Sequence, residues 1–219
     1  MRAPRLVRLG TEQSAVGFSV YVEGPRDRDV LAAWARRLSP PLARAFEPAC
    51  VILGGRQPAR AAGLLARRRE TLAAAQGLCV LDGDVPGVPP PPASAGLEYF
   101  TWSRRHIESY LLVPAAIERT ARSRDARLRR LLESELPEAS DEQALLSFDA
   151  KRFLGEKGPL ARFLGRTLSP GGIARAMRAE EIQGEVRSLF ERIAAGLGIL
   201  ETEVAVHRRP APHSGSKEV

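Results

Sequence analysis

The chain reads as an α/β protein, a parallel sheet flanked by helices and followed by a helical extension. Three apolar runs, GFSVYVE, ACVILGG and LCVLDGD, have strand length, and amphipathic stretches separate them. Strands that alternate with helices close by right-handed crossovers, which makes the sheet parallel.

The first strand is expected over 17–23 and ends on Glu23, ahead of a Gly24-Pro25 turn. RDRDVLAAWARRL then carries Val30, Leu31, Trp34 and Leu38 at helical spacing, and Ser39-Pro40-Pro41 stops it. After the second strand, 49–55, an Ala-rich helix starts near Pro58 and is expected to run to Gly77. The third strand, 78–84, ends at Asp84. VPGVPPPPASAG is an extended proline-rich loop, and LEYFTW is an expected edge strand. From Ser103 the pattern turns helical: SRRHIESYLLV, a break at Pro114, then one helix through AAIERTARSRDARLRRLLESEL. Turns at GEKGP and SPGG interrupt the remaining helical stretch. Residues 1–16 are thus a lead-in, 17–120 the α/β unit, 121–206 the helical extension and 207–219 an expected disordered tail.

The net charge is +7 and the isoelectric point about 10.2, which favours a polyanionic partner, nucleic acid first. An arginine-rich composition accounts for the same charge, because 30 of the 33 basic residues are Arg and three are Lys: Lys151, Lys157 and Lys217. Cys50 and Cys79 lie in apolar runs and read as buried thiols rather than a disulfide. No signal peptide and no run near the roughly 20 apolar residues of a membrane helix occurs, so a cytoplasmic location is expected.

The carboxylates carry the chemical signal. In an open parallel sheet, ligands collect beyond the carboxyl ends of the strands. Glu23 ends the first strand, while Asp82 and Asp84 end the third, so residues far apart in the chain converge. Asp82 and Asp84, two apart on extended backbone, point the same way, and Gly83 permits a close approach. Asp27 follows the Gly-Pro turn, with Asp29 as its rival. Such oxygen donors suit Mg²⁺ or Mn²⁺ better than zinc. Taken singly, DGD is ordinary turn chemistry. Glu108 is bracketed at helical spacing by Leu111 and Leu112, so a merely solvated role is a poor fit. Its other reading is an intrahelical pair with Arg104, worth only about 0.2–0.5 kcal/mol. Arg56, Arg104 and Arg105 are candidate phosphate contacts.

VEGPRD at 22–27 and LDGDVPG at 81–87 resemble the two signature motifs of the TOPRIM domain, a metal-binding fold of topoisomerases, primases, RecR-type repair proteins and certain nucleases. WSRRHIESYLLVPAAIE, FLGEKGPLARFL and IARAMRAEEIQGEVRSLFERI resemble the segments that follow in nucleases of the OLD (overcoming lysogenization defect) family. The resemblance covers about 17–197. It implies a TOPRIM-type, Rossmann-like sheet and a metal set of Glu23, Asp27, Asp82, Asp84 and Glu108 holding two Mg²⁺ or Mn²⁺ ions. It also implies an active-site lysine, Lys157, with Lys151 as the rival; Glu23 is a ligand or a base.

The implied activity is two-metal cleavage or nicking of DNA, with DNA favoured over RNA as partner. OLD nucleases usually carry an ATPase domain ahead of TOPRIM. Here about 16 residues precede the first strand and no G-x-x-x-x-G-K-[ST] loop occurs, so a separate ATPase subunit or independent action is expected. A homo-oligomer is open, and phage defence or DNA repair is the implied setting. Two other readings stand: a small TOPRIM ribonuclease, which the tryptophan and IESYL stretch argues against, and a non-catalytic nucleic-acid-binding partner subunit. Topoisomerase is disfavoured, since all three tyrosines lie in or directly after the TOPRIM region.

Overall fold

The computed structural model describes residues 17–83, 91, 93–138 and 140–199. Among these, four strands form one sheet in the order β2-β1-β3-β4, every pair parallel. They are β1 (Phe18–Val22), β2 (Cys50–Ile52), β3 (Gln76–Leu81) and β4 (Leu97–Thr101). The expected edge strand is therefore present as β4, joined in parallel to β3 by the fifteen residues 82–96. The tail at 207–219 and the lead-in at 1–16 lie outside the described residues.

The strand alternation builds two cores. Phe18, Val20, Val22, Leu78, Val80 and Phe100 face the larger one. Tyr21, Cys79, Leu81 and Leu97 face the smaller one, covered by α3 (Pro58–Thr71) through Ala61 and Leu65. Cys50 is half-buried and Cys79 buried, both free thiols; burial pushes each up to about 12, so neither is a thiolate at neutral pH.

On the larger face lies α1 (Pro25–Leu38), burying Val30, Leu31, Trp34 and Leu38 as its spacing predicts. Ser39 serves two helices. Its N–H bonds Ala35 O at 2.8 Å, and its Oγ accepts from Leu42 N at 3.4 Å, opening α2 (Pro40–Ala49). The prolines that end α1 thus occupy the first turn of a second helix, where a missing N–H costs nothing. That helix was not expected from the sequence.

Other boundaries also differ. The Ala-rich helix stops at Thr71, not Gly77, because Gln76 N is taken by Gly17 O at 2.7 Å and joins the sheet. Sheet pairing overrides alanine propensity there. The expected helix 115–136 is two: α4 (Pro114–Ala121) and α5 (Ala126–Glu135). Arg122 sits in the left-handed region at φ 54°, and Asp125 caps the next helix by accepting from Arg127 N at 2.8 Å.

The extension continues as α6 (Glu142–Ser147), α7 (Ala150–Leu154), α8 (Pro159–Leu164), α9 (Pro170–Ala176) and α10 (Gly184–Gly196). SPGG opens α9 rather than interrupting a helix, with Ser169 Oγ accepting from Gly172 N at 3.1 Å. α9 lies against α1, joined by Trp34 Nε1 donating to Met177 Sδ at 3.2 Å. Phe190 and Ile193 of α10 enter the same core, so the later helices complete the layer over the sheet. No described helix is long and apolar enough to cross a membrane.

The segment expected to be helical from Ser103 is mostly irregular, with a short 3₁₀ helix at Ile107–Leu111. Its backbone donors are spent on tertiary acceptors instead. Ser103 N goes to Glu185 Oε1 at 2.9 Å, Arg104 N to Tyr110 OH at 3.3 Å and Ile107 N to Asp82 Oδ1 at 3.1 Å.

Gly83 sits where this segment crosses the end of β3. A Cβ there would fall against Trp102 O and come within 2.7 Å of Arg104 O. Backbone on both sides leaves no room to yield. Gly83→Ala is expected to lose about 1–3 kcal/mol of stability by overpacking, read as a lower urea midpoint at unchanged slope.

Candidate metal and phosphate site

Connections leave β1 and β3 in opposite directions along the sheet, toward β2 and toward β4. The crevice between their carboxyl ends is the place where such sheets bind ligands. Glu23 follows β1, Asp82 follows β3, and Asp82 N donates to Glu23 Oε1 at 3.0 Å across 59 residues of sequence. Asp27, in the first turn of α1, accepts from Gly24 N at 2.7 Å through Oδ2, which fixes it over the same crevice. Glu108 comes from the 3₁₀ helix, and Lys151 from α7. Together these five side chains line a cleft of about 350 Å³.

The structure thus brings together Glu23, Asp27, Asp82 and Glu108. Asp84 lies outside the described residues. Asp29 is exposed and pairs with Arg28 at 3.3 Å, so Asp27 is the aspartate of this turn that lines the cleft.

The lysine brought here is Lys151, a correction to the expectation for Lys157. Lys151 Nζ lies 2.6 Å from Asp82 Oδ2. Asp149 accepts from Arg152 N at 2.9 Å, and this cap begins α7 with Lys151 in its first turn. Lys157 is exposed on the turn between α7 and α8, away from the residues lining the cleft. The sequence signal was available, since Asp149 before AKRFL reads as an N-cap, but nothing local says where that short helix docks.

The arginines divide. Arg56 spans the two strand ends: its Nη1 bonds Asp82 O and lies 3.6 Å from Glu23 Oε1. Arg105 is exposed and 3.9 Å from Asp149 Oδ2. Arg104 is corrected from phosphate contact to interior brace. Its side chain is 7% exposed, bonds Glu142 through Nε at 3.2 Å and Nη2 at 3.1 Å, reaches Ser109 O at 3.3 Å and stacks on Tyr110. It does not pair with Glu108. Sequence reasoning missed His106, a buried residue whose Nδ1 lies 3.6 Å from Asp82 Oδ2. It also missed Arg26, whose positive charge is felt at Glu108.

Burial sets the electrostatics. Desolvation raises Glu23, Asp27 and Glu108 above the usual carboxylate range, and the charge of Asp82 raises each further. Asp27 reaches about 6. Glu108 is 3% exposed, and its Oε2 is buried without a hydrogen-bond partner. A buried carboxylate oxygen left unsatisfied is costly and calls for a donor or a cation.

These residues fit a hard divalent cation in donor chemistry. Among the described residues, no group of three or more His, Cys, Asp or Glu side chains stands in an arrangement that could hold a metal ion by itself. Mg²⁺ commonly keeps several waters and takes only one or two carboxylates together with substrate phosphate.

A parallel α/β sheet with an acidic crevice at its switch point is the class that fold and site define. The C-terminal region of the Burkholderia pseudomallei OLD protein matches with TM-score 0.53 and 17% identity, over 84% of this chain and 100% of that one. The C-terminal region of the Xanthomonas campestris pv. campestris OLD protein matches with TM-score 0.49 and 16% identity, over 84% and 98%. The first of these establishes the shared fold, in line with the TOPRIM-type sheet expected. No protein-family model and no curated protein sequence matches the chain.

The raised carboxylates make stability depend on pH. Between about 3.8 and about 6, the folded chain keeps a proton on Asp27 that the unfolded chain has released. Stability of the metal-free protein therefore falls as pH rises through that window, Glu23 and Glu108 adding in the same direction. Asp27→Asn keeps an acceptor for Gly24 N and removes the charge. It is expected to flatten that fall and gain on the order of 2–3 kcal/mol at pH 8, measured by urea titration at pH 4 and pH 8 in EDTA.

Proposed function

We propose that the chain is a divalent-metal-dependent nuclease that nicks or cuts DNA. The observation that carries the reading is the buried, unpartnered Oε2 of Glu108, facing a cleft that three further carboxylates and a lysine line. A binding module gains nothing from four carboxylates at a phosphate surface, which repel the ligand without a cation between them. The net charge of +7 and the fold shared with an OLD C-terminal region support a nucleic-acid partner.

Glu23, Asp27, Asp82 and Glu108, with Asp84 from outside the described residues, are the proposed ligands. Two Mg²⁺ or Mn²⁺ ions, when bound, supply an activated water and charge neutralisation for in-line displacement at phosphorus. Glu23 has its Oε1 tied to Asp82 N, which orients the carboxylate, and its raised affinity for protons suits it to take one from water. Lys151 lines the cleft and touches Asp82 with 42% of its side chain exposed, and its ammonium is the proposed partner for developing charge on a phosphate oxygen. Arg26 and Arg105, both exposed, are the proposed phosphate contacts beside it, while Arg56 braces the strand ends. An ATPase subunit in trans, a homo-oligomer and a cytoplasmic setting in phage defence or DNA repair belong to the same proposal.

Supercoiled plasmid incubated with the protein, alone or with an ATPase partner, is expected to become nicked or linear with Mg²⁺ or Mn²⁺ and to stay intact in EDTA. Glu108→Gln should abolish cleavage while leaving the melting temperature unchanged or higher. Lys151→Met should lower cleavage by roughly 100-fold or more, whereas Lys157→Met should leave it intact. Metal-independent cleavage, or loss through Lys157 and not Lys151, overturns these assignments.

Affinity for duplex DNA in Ca²⁺ is expected to fall with salt at a log–log slope near −0.9 per phosphate contacted. Fluorescence anisotropy between 50 and 300 mM salt reads that slope, and a slope near zero would make the positive charge compositional.

A further inference from the structure

We infer that Glu185 and Tyr110 form a tie that positions the Glu108 carboxylate for cation binding, an inference that rests on the proposed metal-dependent reading of the cleft. Glu108 stands on a five-residue 3₁₀ helix whose first residue is preceded by a His106 that makes no side-chain cap. Short 3₁₀ segments hold their geometry poorly by themselves. Ser103 to His106 are irregular, so local structure does not fix where Glu108 points.

What fixes it comes from elsewhere in the chain. Glu185, in the first turn of α10, accepts from Ser103 N at 2.9 Å through Oε1. Its Oε2 accepts from Ser103 Oγ at 2.6 Å and from the Tyr110 hydroxyl. One carboxylate thus grips both ends of the segment that carries Glu108, from 82 residues away at one end and 75 at the other. The first turn of a helix is a favourable place for that charge. Tyr110 adds a second grip by accepting from Arg104 N at 3.3 Å, while its ring lies 4.7 Å from that of Trp102. Within the held segment, Ile107 N donates to Asp82 Oδ1 at 3.1 Å, so the tie also orients Asp82.

Tyr110 and Glu185 are positioning residues. Neither lines the cleft, and they act on the cation through Glu108 and Asp82. Partners of this kind, one shell removed, change metal affinity by roughly 10–100-fold when lost. A purely structural tie would lower the melting temperature and leave affinity alone.

The test is Mn²⁺ titration by calorimetry on the full chain, with thermal melts in EDTA on the same samples. Tyr110→Phe removes only the hydroxyl and keeps the ring, so the variant folds; Glu185→Gln keeps the shape and weakens the grip. Arg119→Gln serves as the control, since it breaks an ion pair with Glu181 between α4 and the turn before α10, away from the cleft. Expected are a Kd for Mn²⁺ raised about 10-fold or more in Tyr110→Phe and Glu185→Gln, a similar value for the double variant, and a parental Kd in Arg119→Gln. Parental Kd in both tie variants, or an equal loss in the control, overturns the tie and leaves the metal reading standing. A parent that binds no Mn²⁺ overturns the metal reading and the tie with it.

Discussion

Carboxylates that share a cleft repel one another, and at the ends of β1 and β3 burial removes much of the water that would screen them. Glu23, Asp27 and Glu108 are all pushed toward protonation by that burial, and Asp82 is felt by each. The surroundings answer this with charge and with fixed donors. Lys151 meets one oxygen of Asp82, and Ile107 N meets the other. Arg56 reaches from the loop after β2 to the ends of both central strands. The backbone N–H of Gly24 and of Asp82 hold Asp27 and Glu23. Among the described carboxylates of the cleft, Glu108 keeps a buried oxygen with no hydrogen-bond partner, although the charges of Lys151 and Arg26 are felt there.

The fold makes this crowding possible because its crossovers diverge at the site. β1 leads on to β2 and β3 to β4, on opposite sides of the two central strands, which is the topological switch at which such sheets form a crevice. The room is then defined by what is brought over it: α1 from one side, the 107–111 turn from another, and α7 across the mouth. Gly83 is part of the same construction, since the returning chain passes where its side chain would be.

Strands and their polarity were legible because apolar runs of this length between amphipathic helices have few other solutions. β1, β3 and α1 fall within a few residues of their expected ends; Glu23 and Asp82 follow from strand-end reasoning, and Asp27 from the spacing of the motif that VEGPRD resembles. Glu108 was legible for a reason that proved partly mistaken. Its apolar neighbours were read on an α-helical wheel, whereas the segment is 3₁₀, where Glu108 and Leu111 still share a face because residues three apart eclipse. What the sequence hid was long-range. Ser103 and Ile107 leave the helical pattern because Glu185 and Asp82 supply acceptors that no local window contains, and Arg104 N turns to the Tyr110 hydroxyl six residues on. Arg104 looked like surface, since 30 arginines make any one of them ordinary, until Glu142 and the Tyr110 ring enclosed it.

Residue 151 departs from the composition of the chain and meets the cleft through a single carboxylate oxygen. In a chain with 30 arginines and three lysines, arginine is the expected cation at any position. A guanidinium fork engages both oxygens of a carboxylate in one plane. At Asp82 the two oxygens are met separately: Oδ1 accepts from Ile107 N at 3.1 Å, while Oδ2 has Lys151 Nζ at 2.6 Å and His106 Nδ1 at 3.6 Å. An ammonium is a point charge on a flexible stem. It satisfies one oxygen at 2.6 Å, and its side chain remains 42% exposed. The contact sets a point charge against one oxygen and leaves Oδ1 with the Ile107 N–H of the turn that carries Glu108.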